Sequence, residues 1–294
     1  MKKPSPQSSA PTQPPRIPLL AEADLFDQLN KDKSSSLWLG RFSEAEIWRT
    51  FEQCGFLAAL NAPELQPLLL KVEPLDAFAQ ALKLYHAQAT PERLIAEFRL
   101  REAVLTPRKR LADNFGEALP RVLAIEWLLL QNPYARFTRE RPGLPGQIHP
   151  GLGQARRVLQ WLIELAQQLK LEGISNYPEY FHNAYLYQHQ FHFYNPAREG
   201  MLNTLSRDLS NLSLAEVSWA IERGCVRQAS GEALVWESDL QILPLSQRVR
   251  DYFEIASYQD AVATARESQH FCFDEKKFRE TIPSADESQP KRIL

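Results

Sequence analysis

The ten residues from Arg121 to Leu130 read Arg-Val-Leu-Ala-Ile-Glu-Trp-Leu-Leu-Leu. Apolar side chains on both alternating faces predict a strand covered on both sides, interrupted by Glu126. A loop follows at residues 141–153, Arg-Pro-Gly-Leu-Pro-Gly-Gln-Ile-His-Pro-Gly-Leu-Gly, holding four of the chain's eleven glycines. That concentration points to backbone used as a binding surface. Directly behind the loop, Val158, Leu159, Leu162, Leu165, Ala166 and Leu169 fall on one stripe at helical spacing, while Gln154, Arg157, Gln160, Glu164, Gln168 and Lys170 fall elsewhere. Gly173 is read as the helix stop.

Strand, glycine turn and helix in that order make an anion site. The first-turn amides of a helix have no intrahelical acceptor, the helix dipole adds positive potential there, and glycine puts no side chain in the way. Phosphate is the usual occupant. Arg156 and Arg157 in the first turn agree with this, since a cation at that end is mildly unfavourable unless an anion accompanies it. The competing reading is that both are simply solvated.

A short strand near residues 174–177 follows, then Asn183-Ala-Tyr-Leu-Tyr187 and Phe191-His-Phe193. With the strand, the loop ending Gly151-Leu-Gly153 and the helix, this resembles the core of the GNAT acetyltransferase superfamily over residues 67–195. The resemblance implies an α/β fold, a GNAT-like mixed sheet with flanking helices, plus a mainly helical C-terminal extension. It implies acetyl-coenzyme A, or another acyl-coenzyme A, as cofactor. Gln147, Gly151, Leu152, Gly153, Gln154, Arg156 and Arg157 would hold the pyrophosphate, and Asn183 the pantetheine arm. Glu126 would be the general base and Tyr187 the acid that protonates the departing thiolate. The loop departs from the family's usual spacing: with Gly151 and Gly153 as its glycines the first position is Ile148, and Gln147 stands one residue early.

Both chemical groups have bland alternatives. A carboxylate inside a covered strand would have its pKa raised by desolvation, as suits a base; it could equally pair with Arg99 or Arg101 on the neighbouring strand. Tyr187, with Tyr185 as a rival, could be one of many aromatic packing residues between 177 and 194, and Asn183 could be a helix cap. A different chemistry rests on His182, His189 and His192, which would share a face if one helix ran through all three, as a metal site needs. Their spacing matches no strong metal motif, and no Ser/His/Asp order or Walker lysine appears.

At 294 residues the chain can form one large domain or two modest ones. A formal charge of −2 gives no electrostatic reason to expect nucleic acid or an anionic membrane. No apolar run approaches the ~18 residues of a bilayer span, and Met1-Lys-Lys is not followed by a signal-like apolar stretch, so a cytoplasmic location is expected. Cys54, Cys225 and Cys272 form neither a disulfide framework nor a metal knuckle.

In chain order, residues 1–18 carry six prolines and are read as a disordered tail. Residues 19–195 are read as the acyl-coenzyme A-binding domain, 196–282 as the extension and 283–294 as a second tail. A short helix is expected at 19–29 and a capping box at Ser43 and Glu46. Strands are expected at 68–72, 81–85 and 93–101, the last with Leu94, Ala96, Phe98 and Leu100 on one face. Residues 104–118, with Arg108-Lys-Arg110, are loop or helix. In the extension, Ser213 and Glu216 box a second helix, residues 225–228 and 233–236 form a hairpin, and helices are expected at 246–254 and 258–267. The expected activity is acylation of an amine on a small molecule or peptide. A non-catalytic ligand-binding or interaction module and a histidine metal protein are the alternatives.

Overall fold

The computed structural model describes residues 37–75, 79–105, 115 and 118–281. The expected tails, the helix at 19–29 and most of residues 104–118 lie outside the described residues. Four antiparallel strands open the sheet: β1 (Leu68–Pro74), β2 (Gln80–His86), β3 (Leu94–Val104) and β4 (Arg121–Leu130). Each covers one of the stretches expected from the sequence. β4 then pairs in parallel with β5 (Gly173–Asn176), through a crossover made by the glycine loop and a helix at Ala155–Gln168. Parallel neighbours require such a crossover, because a hairpin cannot reverse the chain twice. The order across the sheet is β1-β2-β3-β4-β5-β8-β6, with β6 at His192–Phe193 and β8 at Gln241–Pro244. This is an α/β mixed sheet with flanking helices, in the element order expected from the sequence.

The helices among the described residues are α1 (Glu44–Gln53), α2 (Phe56–Ala59), α3 (Ala155–Gln168), α4 (Phe181–Leu186), α5 (Pro196–Asp208), α6 (Leu214–Glu222), α7 (Gln247–Glu254), α8 (Ala256–Ser268) and α9 (Glu275–Thr281). Both expected capping boxes form: Ser43 accepts from the Glu46 amide and Ser213 from the Glu216 amide, and each glutamate reaches back to its serine's amide. All six residues of the α3 stripe are buried, and they join α1, α2 and one face of the sheet in the main core. Trp161 of α3 anchors that core, stacked on Trp38 at 5.7 Å and packed on Phe51 at 4.8 Å, its indole N–H donating to Thr50 at 3.1 Å.

Several expectations need correction. Gly173 does not stop α3. The chain turns earlier, where Lys170 takes a positive φ of 55°, and Gly173 opens β5 because a Cβ there would lie 2.9 Å from the Leu243 carbonyl of β8. The hairpin expected between residues 225–228 and 233–236 is only partly formed: β7 (Val226–Gln228) touches Ala233 through a single bridge, while its ladder partner is β9 (Phe271–Phe273). Phe271 drives that choice, buried with Val226 and Cys225 in a second core. The stretch read as an extension also supplies β8, which sits inside the sheet between β5 and β6. β4 is covered only in part, with Glu126 and Trp127 exposed.

Candidate functional site

The end of β4 and the start of α3 are tied to each other by the loop between them. Gln131 bridges Gly151, and the Asn132 amide donates to the Pro150 carbonyl at 2.8 Å, so the chain leaves β4 and returns beside it before entering α3. Leu152 packs into the main core and fixes the return. Gly153 then takes φ +69°, a backbone that L side chains rarely adopt, and the space over it is open: a Cβ would meet only the Arg141 guanidinium, at 4.0 Å.

α3 starts without a side-chain cap. Gln154 occupies the cap position, but its carboxamide is engaged by the Leu152 carbonyl at 3.4 Å and the Arg157 guanidinium at 2.6 Å. The first bond of the helix runs from the Val158 amide to the Gln154 carbonyl, and no described acceptor takes the amides of Ala155, Arg156 or Arg157. No acid stands in the first turn. Gly153, Arg156 and Arg157 are exposed, and Arg141 adds a further cation by donating to the Gly151 carbonyl at 3.2 Å. Arg141 was missed from the sequence, although its place at the opening of the glycine loop was a usable signal. Gln147 is not brought to this cluster. Its oxygen accepts from the Leu144 amide at 3.1 Å, in a turn whose Gly146 abuts Tyr180.

β4 and β5 pair only from Val122 to Ala124 against Gly173 to Ser175; β5 ends at Asn176 while β4 runs on to Leu130, so beyond Ala124 β5 no longer pairs with that edge of β4. At the same place the β3–β4 register jumps from Arg99 opposite Trp127 to Leu100 opposite Ile125, making Glu126 the extra residue of a β-bulge. A bulge leaves its residue outside the ladder and twists the strand locally. At the far end of β5 stand Asn176 and, opposite it on β8, Gln241, both buried at their polar ends. Among the described residues, Asn176 Oδ1 and both polar atoms of the Gln241 side chain lack a partner. Buried amides are normally satisfied, so this pair marks a place for a water or a ligand group. Neither was singled out from the sequence, since a lone amide in a short strand carries no pattern.

The two groups expected to carry chemistry are placed differently. Glu126 is not desolvated: its side chain is 37% exposed and is paired with the Arg101 guanidinium, while Arg99 lies over the Trp127 ring at 5.8 Å. The pairing alternative therefore describes Glu126, and the desolvation argument for it falls. Tyr187 caps the C-terminal end of α4, packs against the main core beside Phe191, and is pushed above its ordinary pKa by burial. Asn183 is half-buried on α4, and Tyr185 packs with the second core.

The histidines do not share a helix face, because α4 ends at Leu186, leaving His189 exposed beyond it and His192 in β6 against Glu199 at 3.2 Å. Among the described residues no three His, Cys, Asp or Glu side chains are grouped to hold a metal. No described helix is long and apolar enough to cross a membrane.

No family model and no curated protein matches the sequence. Among solved structures, this chain is similar to the one described as "Crystal structure of AtaTR bound with AcCoA", with 12% identity and a TM-score of 0.26 over 42% of this chain and 86% of that one. A likeness of that size adds nothing to the fold, which rests on the strand order and pairing above.

Proposed function

We propose that the protein binds acyl-coenzyme A and transfers its acyl group to an amine. The observation that carries the reading is the uncapped start of α3, with free amides at Ala155, Arg156 and Arg157, the open backbone of Gly153 and three exposed guanidiniums around it. A pyrophosphate suits that site in charge and in hydrogen-bond direction. The edge of β4 that β5 leaves unpaired beyond Ala124 runs toward it, ending at the Gln131–Gly151 bridge, and offers strand backbone to the amide-bearing pantetheine arm. In this reading the amine nitrogen attacks the thioester carbonyl, the C–N bond forms, and the C–S bond breaks. Tyr187, which burial keeps protonated, donates to the departing sulfur. Glu126, the one carboxylate of β4, receives the amine's proton, for which its ion pair with Arg101 must open.

The test is binding, because it needs no knowledge of the acceptor. Acetyl-coenzyme A at ~100 times its dissociation constant stabilises the native state by about 2.7 kcal/mol, a rise in melting temperature of roughly 5–10 °C for a domain of this size. ATP shares the adenine and phosphates but has no arm to lie along β4, and should raise it less. No shift with acetyl-, succinyl- or free coenzyme A overturns the proposal.

A further inference from the structure

The long segment between β6 and β8 carries α5, α6 and β7. With the start of α4 and Pro145 of the glycine loop it lines a half-open cavity of about 300 Å³ that none of the residues assigned to acyl transfer lines. One wall is apolar, with Phe181 and Trp236 meeting edge to face at 5.7 Å. His182 forms another part of the lining. It is 3% exposed, its ring is stacked on Tyr180 at 5.5 Å, and its Nδ1 has no partner among the described residues. An orphaned ring nitrogen so deeply buried is rare in a native structure, and on a residue that lines a cavity it points to a polar group of a ligand as the missing partner.

The charge of the lining is one-sided. Glu179 and Glu222 both line the cavity and are exposed, and neither enters an ion pair among the described residues. They act on the same phenol: burial first, then the charges of Glu179 and Glu222, raise the pKa of Tyr180. Two cations stand beside the lining, each already in contact with the protein. Arg223 lies over the Trp219 ring at 4.7 Å, and the Lys277 ammonium donates to the Gly224 carbonyl at the rim at 3.0 Å. An anion would be repelled here, and a purely apolar ligand would leave the His182 nitrogen unsatisfied.

We propose that this cavity binds a protonated primary amine carried on a small apolar or aromatic body. The ammonium donates to His182 and is attracted by Glu179, Glu222 and the Tyr180 ring, while the body packs on Phe181 and Trp236. The volume is at the lower end for small-molecule sites, which limits the body to about one ring with a short arm.

The experiment is calorimetric titration of the full chain with phenethylamine at neutral pH, without coenzyme A, so that this inference and the acyl-transfer reading can fail separately. Phenethyl alcohol and phenylacetate are the neutral and anionic controls. Phenethylamine should bind saturably at millimolar concentration, roughly tenfold tighter than the alcohol, and phenylacetate should not bind. Glu179→Gln and Glu222→Gln are exposed changes that leave folding intact; each should weaken binding by about threefold, and His182→Phe should weaken it further. Ala233→Trp, which fills the cavity, should abolish it. The inference is overturned if phenethylamine gives no saturable heat, binds no better than the alcohol, or binds both folded glutamine variants as tightly as the parent.

Discussion

Gly153→Val separates backbone strain from ligand binding at the one position where the proposed site depends on glycine. The structure sets both magnitudes. Gly153 has φ +69° and no atom closer than 4.0 Å to a Cβ, so the side chain meets no wall and the cost to the free protein is conformational. For an L residue in the left-handed region that cost is about 1–2 kcal/mol, and the melting temperature should fall by roughly 2–8 °C. The second effect is on the ligand, because the isopropyl group occupies the open space over the loop that a pyrophosphate needs. The acetyl-coenzyme A shift of roughly 5–10 °C should therefore vanish. Gly231→Val is the control. Gly231 has φ +85° and also nothing within 4 Å, but it lies in the turn after β7. It should lower the melting temperature by a similar amount and keep the full ligand shift. Differential scanning fluorimetry of both variants, with and without acetyl-coenzyme A, reads all four numbers. If Gly153→Val keeps the shift, the cofactor does not sit on this loop; if Gly231→Val loses it as well, strain alone explains the loss.

Glu126→Gln breaks a solvent-exposed ion pair with Arg101, so its effect on stability should stay within about 1 kcal/mol, whereas loss of a general base lowers turnover by about 10²–10⁴. A thiol-release assay with undiminished turnover would remove Glu126 from the mechanism. Gly200→Ala places a Cβ 2.6 Å from that of Ala265 and 2.7 Å from the Val262 carbonyl, where α5 crosses α8. It should destabilise by about 1–3 kcal/mol in urea denaturation, and an unchanged midpoint would contradict that close approach. His182 is held down to about 4 by burial, so the unfolded chain binds a proton that the native state refuses between pH 6.5 and about 4. That contribution to stability is complete above pH 6.5 and is lost as pH falls, up to about 3 kcal/mol. In an NMR titration one imidazole should stay neutral down to pH 5, and titration of every histidine near 6.5 would refute the burial.

Where the sequence was legible, local chemistry was enough. β3 followed from alternation, α1 and α6 from their serine–glutamate boxes, and α3 from a stripe whose six apolar residues are all buried. The errors have a common cause in partners far along the chain. Val226 pairs with Phe273 instead of closing the whole local hairpin, and Gly173 opens a strand because β8, some seventy residues later, passes too close for a side chain. Gln241–Pro244 is four residues with a glutamine and a proline, too short for alternation to show, yet it holds β5 and β6 together.

The same division runs through the proposed site. The half proposed to bind an anion is built from backbone: glycine spacing and the start of an amphipathic helix marked its place in the sequence, and the structure shows first-turn amides with no acceptor among the described residues. Its chemical half depends on burial, which a strand's own residues do not determine. Ile125 and Glu126 are neighbours on β4, but Ile125 packs on the main core while Glu126, at the bulge, is turned to solvent and to Arg101. An apolar run reports that a strand enters a core. It does not report which face a bulge will expose, and the protonation behaviour of a carboxylate follows the face it is on. For that reason the binding assay comes before the mutants of Glu126 and Tyr187: it tests the half of the site whose physics is local, and only a bound acyl-coenzyme A gives the other half a reaction to perform.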